Sequence, residues 1–141
     1  DNRFPNVGAI VVTEGPGAPF VVASGVLIHP RVFLTAGHTT ADGQALIDQG
    51  VPIFDISRIN FGPDAFNPLI SVKGVANITH PGFAFPNPNG RTQDLGVVIL
   101  EEPVDRLVRQ VGKTYEFPNV SGVRPGLPAE AATTLAASRP R

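Results

Sequence analysis

The sequence predicts an all-β fold, an antiparallel barrel or sandwich running into an irregular C-terminal stretch. Three observations carry this expectation. Short apolar, β-branched runs recur from Val7 to Leu100, with clusters of Gly, Pro, Asn and Asp between them. Little sequence of helical periodicity separates the runs. Fifteen glycines and fifteen prolines among 141 residues stay below the roughly 25–30% that marks low complexity, and they fit a domain of short strands and many turns.

The elements follow in order. Val7 to Thr13 forms the first strand, stopped by the breaker cluster Glu14-Gly15-Pro16-Gly17. Phe20 to Ile28 is a second strand and Val32 to Ala36 a third, and the tight connection His29-Pro30-Arg31 makes them a hairpin. Thr39 to Gly50 is polar and small, with one helical turn expected at Ala45-Leu46-Ile47. Ile53 to Phe61 alternates in a strand-like way, and Leu69 to Thr79 is a further strand in which Gly74 marks a bulge or bend. Pro81 to Thr92 reads as a loop. Leu95 to Leu100 is almost continuously apolar, the pattern of a strand covered on both faces, and Glu101-Glu102-Pro103 ends it. Beyond it, Val104 to Val111 fits a turn of helix and Tyr115-Glu116-Phe117 a short edge strand. From Pro118 the composition turns to Gly, Pro and Ala, so residues 1–117 are expected to form the barrel and 118–141 a linker or tail.

Bulk composition narrows the function classes. The chain is long enough for one sizeable core and too short for two ordinary domains. A net charge of −1 offers no basic footprint for nucleic acid. No apolar run approaches the roughly 18 residues of a membrane-spanning helix, so no membrane partner is expected. The absence of Cys rules out disulfides and thiolate metal sites. The absence of Met leads us to expect a processed product or a piece of a longer protein.

Among the histidines, His29 and His80 each precede Pro in a turn and read as structural. His38 differs: it ends the run Val32-Phe33-Leu34-Thr35-Ala36-Gly37-His38, a hydrophobic strand entering a turn whose small residues leave the imidazole open. Imidazole is the side chain suited to moving a proton near neutral pH. Asp94 opens a second strand-like segment, Asp94-Leu95-Gly96-Val97-Val98-Ile99-Leu100, whereas Asp42, Asp48, Asp55 and Asp64 fit no motif.

These two segments, preceded by Ser24-Gly25-Val26-Leu27-Ile28 and followed by Pro103-Val104, resemble the chymotrypsin/trypsin-like serine peptidases, most closely their secreted microbial members. The likeness begins near Asn6-Val7-Gly8-Ala9-Ile10-Val11, keeps the family's motif order to Val104, and grows looser in the tail. It implies an antiparallel Greek-key-type β-barrel, the trypsin-like N-terminal barrel, with His38 as general base and Asp94 as the carboxylate that orients it. It implies peptide-bond hydrolysis of a protein or peptide substrate, needs no metal or organic cofactor, and carries an expectation of secretion.

The departures are specific. Ala23 and Thr39 stand where many relatives carry a bridged Cys pair. The family's Gly-Asp-Ser-Gly-Gly nucleophile segment, which lies in a second barrel, has no counterpart. Ser24, Ser57 and Ser71 fall within strands, Ser138 in the tail, and Ser121 where the family crosses between barrels. The expectation is therefore one half of an endopeptidase, inactive alone, whose missing C-terminal barrel comes from the same parent chain or from a second one. The competing reading is a non-catalytic descendant of the fold that binds a protein or peptide. The sequons Asn77-Ile78-Thr79 and Asn119-Val120-Ser121 are too common by chance to discriminate.

Overall fold

Seven strands form one antiparallel sheet in a computed structural model that describes residues 4–84 and 93–104. In chain order the elements are β1 (Val7–Val12), β2 (Phe20–His29), β3 (Val32–Thr35), α1 (Gly37–Asp48), α2 (Ile53–Ile56), β4 (Ser57–Phe61), β5 (Ile70–Val72), β6 (Gly74–Thr79) and β7 (Gly96–Leu100). The strand order is β5-β4-β1-β2-β3-β7-β6. Its first four strands lie as β4-β1-β2-β3, which is the Greek-key arrangement. The two edge strands, β5 and β6, are consecutive in the chain with only Lys73 between them, so the sheet curls until its edges share one stretch of backbone.

Inside the curl, Ile10, Leu27, Phe33, Ile59, Phe61, Val72, Val98 and Leu100 pack with Ile70 and Val104. Phe33 and Phe61 meet edge to face, with ring centroids 5.8 Å apart. Gly25 is required here, because a Cβ would collide with the Phe33 ring and the Leu34 carbonyl. On the other face of the sheet, Ile28, Val32, Val97 and Ile99 form a second cluster with Val26, Leu34, Ala76 and Ile78. This explains the apolar run of β7: its alternate residues enter different clusters, and all five are buried. Leu95, by contrast, precedes β7 and is half exposed.

Three expectations need correction. A single helical turn was too little for the segment after β3, which is a helix of 12 residues. Its sequence shows no apolar stripe because only Gly37 and Thr40 are buried, and it lies along β6 and β7. It stops at Gly50, whose φ of 89° suits glycine and whose N–H bonds the Ile47 carbonyl at 2.9 Å. The expected strand from Ile53 is a helical turn up to Ile56 and a strand only from Ser57. Pro52 precedes that turn, and the Ser57 hydroxyl closes it by donating to the Ile53 carbonyl at 2.6 Å. The expected long strand from Leu69 is broken at Lys73 into β5 and β6, while the irregularity expected at Gly74 is present: the β6 register against β7 shifts between Gly74 and Ala76. The expected elements beyond Val104, the boundary at residue 117 and most of the loop before Thr92 lie outside the described residues.

Candidate active site

His38 stands in the first turn of α1, one residue past the buried Gly37. The turn starts directly from β3 through Ala36, which is still extended. Gly37 presses against the backbone of Leu95: a Cβ there would lie 2.8 Å from the Leu95 carbonyl oxygen and 2.9 Å from its nitrogen. The missing side chain therefore brings the start of α1 against the approach to β7, where Asp94 lies.

The Asp94 carboxylate meets His38 twice. Its Oδ1 accepts the His38 backbone N–H at 2.7 Å. Its Oδ2 lies 2.7 Å from the ring Nδ1. The Ala36 side chain offers α1 no cap, so Asp94 serves as an N-terminal cap supplied from another element, with its charge at the positive end of the helix. The backbone N–H of His38 holds the Asp94 carboxyl below the usual carboxylate range, and the hydrogen bond to the imidazole adds to this. An ionised carboxylate accepts and does not donate, so Nδ1 carries the shared proton, and in the neutral imidazole Nε2 is then the nitrogen left with a lone pair. Both side chains are open to solvent, at 57% for His38 and 40% for Asp94.

Two threonines brace the turn. The buried Thr40 hydroxyl donates to the Gly37 carbonyl at 3.0 Å and lies 2.7 Å from the Thr79 hydroxyl on β6. Gly96, at the start of β7, leaves room for Thr40, whose side chain any Cβ there would strike. Thr35, at the end of β3, donates to the Ser24 carbonyl at 2.9 Å and ties the strand before the histidine to β2. The sequence offered no signal for this bracing, because it depends on hydroxyls brought together only by the sheet register.

The other residues singled out from the sequence are engaged elsewhere. His80 accepts the Gly82 N–H in its own turn at 2.9 Å. The Ser57 hydroxyl closes α2, and the Ser71 hydroxyl donates to Asn60 Oδ1 at 2.6 Å. Ser121 and Ser138 lie outside the described residues. Among the described residues no group of three His, Cys, Asp or Glu side chains is placed to hold a metal ion. No described helix is long and apolar enough to cross a membrane. A pocket of about 320 Å³ opens beside His38, between α1 and the ends of β1 and β2.

No family model matches the chain and no curated protein matches its sequence. Its fold is similar to that of solved structures, among them neuropsin, a serine protease expressed in the limbic system of mouse brain, at 18% identity and a TM-score of 0.50. The match covers 72% of this chain and 39% of that one, so the chain spans about two-fifths of the length of neuropsin. At this identity the likeness establishes architecture: the described sheet is a barrel of the trypsin-like serine-protease fold.

Proposed function

We propose that this chain supplies the histidine and aspartate of a trypsin-like serine endopeptidase, with the nucleophilic serine carried by a second barrel. The observation that carries the reading is the two-point grip of Asp94 on His38, through the backbone N–H and through Nδ1. That grip fixes both the position of the ring and its tautomer, which is what a general base needs.

In this reading a serine hydroxyl is presented to His38 Nε2, and the imidazole takes its proton as the oxygen attacks a peptide carbonyl. Asp94 stabilises the imidazolium. The same proton then passes to the leaving amine, and water hydrolyses the resulting acyl-enzyme by the reverse sequence. The oxyanion donors and the pocket for the residue before the scissile bond belong with the serine in the second barrel. The substrate is a protein or peptide, the reaction needs no cofactor, and the enzyme is secreted. The fold likeness to neuropsin, itself a serine protease, supports this assignment.

The test is to read the coding sequence past Arg141 and to treat the whole gene product with a fluorophosphonate probe. A downstream Gly-Asp-Ser-Gly segment, labelling of its serine, and loss of labelling in His38→Ala are expected. A stop codon after Arg141, with no second chain that restores labelling, would overturn the proposal. So would labelling of the 141-residue chain by itself, since the nucleophile would then lie within it.

A further inference from the structure

The pocket beside His38 has a chemistry of its own. Its inner wall includes the buried barrel residues Ile59 and Val98, so it reaches past the surface into the end of the barrel. Around its mouth stand Phe20, Val22 and Leu46, which are 45%, 47% and 38% exposed. Three large apolar side chains left in water around one opening mark a surface suited to an apolar ligand. The volume of about 320 Å³ lies at the lower end of the ~300–1,000 Å³ of small-molecule pockets.

The charges at the pocket are one-sided. Glu14, after β1, and Asp42, on α1, both line it and both are exposed. No lysine or arginine does. Among the described residues the cations are Arg31, Arg58 and Lys73, and each is engaged elsewhere. Arg31 donates to the carbonyls of Leu100 and Glu101, Arg58 to that of Ser57, and Lys73 pairs with Asp55 at 2.9 Å. Two carboxylates thus share an apolar opening that no described lysine or arginine enters, and the other titratable group on its wall, His38, is already held by Asp94.

We propose that this pocket is a binding site for a small amphipathic amine, an aromatic or aliphatic group carrying a primary ammonium a few bonds away. The apolar group enters toward Ile59 and Val98 between Phe20 and Leu46. The ammonium stays at the mouth, hydrated and attracted by Glu14 and Asp42. A neutral ligand gains only the apolar contact, and an anion is repelled. The site does not depend on a nucleophile, so it stands or falls separately from the peptidase reading.

The experiment uses the 141-residue chain and 2-phenylethylammonium, followed by amide NMR shifts. Saturable binding with a Kd on the order of 1 mM or tighter is expected for a ligand of this size. Shifts should centre on Val22, Thr39, Asp42 and Leu46, and affinity should fall as salt is added. Glu14→Gln combined with Asp42→Asn should weaken binding by about three- to tenfold, within the range for two exposed ionic contacts. Both residues are exposed, so the variant should keep the remaining wild-type spectrum. Equal affinity for 2-phenylethanol, shifts centred elsewhere, or no saturation by about 10 mM would each overturn the proposal.

Discussion

At the scale of single residues, Asp94 does two things with one carboxylate: it caps a helix and it holds a ring. Its two oxygens divide the tasks, one on the His38 N–H and one on Nδ1. Because the folded-state carboxyl titrates below its ordinary range, the contact stabilises the fold above the unfolded-state pKa of about 3.9 and loses its effect as pH falls through the lower folded value. Asp94→Asn should therefore be less stable than wild type at neutral pH. The gap in thermal midpoint should narrow as pH drops below about 4. A gap that stays constant across a pH series of unfolding curves would show that the charge contributes nothing. The size of the effect is modest, because the pair is exposed and water screens it.

Elements meet in this fold through positions where a side chain is either absent or hydroxylated. Gly25 is where β2 passes over the Phe33 ring, and Gly25→Ala has nowhere to place its methyl group except into that ring or the Leu34 carbonyl. Overpacking of this kind costs about 1–3 kcal/mol, which denaturant unfolding should show as a lowered midpoint with unchanged slope. Thr40 joins α1 to β6 through Thr79. Thr40→Val keeps the shape but leaves the Thr79 hydroxyl and the Gly37 carbonyl short of a partner, a loss of about 1–3 kcal/mol. Thr40→Ser should restore most of the loss, since it returns the hydroxyl. If Val and Ser behaved alike in urea unfolding, the bracing role would be wrong.

These same contacts explain what the sequence revealed and what it hid. β1, β2, β3 and β7 were readable because apolar runs and turn residues are local signals, and the doubly covered strand at Val97–Leu100 advertised itself by lacking polar residues. The helix after β3 was not readable: with only Gly37 and Thr40 buried, packing holds it in place and leaves no stripe. The Ile53–Phe61 segment misled because Pro52 opens, and the Ser57 hydroxyl closes, a helical turn inside an alternating pattern. At the site, motif order named His38 and Asp94 but not the backbone contact between them, nor Thr40, Thr79 and Gly96 around them. Those depend on register between β6, β7 and α1, which no spacing along the chain encodes.

For the molecule as a whole, the consequence of the Lys73 joint is topological. A sheet with free edges offers unpaired backbone to other chains, and proteins must guard such edges. Here one covalent step holds both edges in place, so Lys73 acts as the clasp of a bracelet, and its carbonyl accepts the Glu101 N–H at 2.9 Å as a second catch. Loop insertions should therefore be tolerated very unequally along the surface. A flexible Gly-Ser insert between Gly15 and Pro16, in an exposed turn, should leave a soluble folded chain. The same insert after Lys73 should part the clasp, free two strand edges at once, and drive association visible as higher-mass species in light scattering. A monomeric, fully folded product from the second insertion would mean that the barrel closes without its clasp.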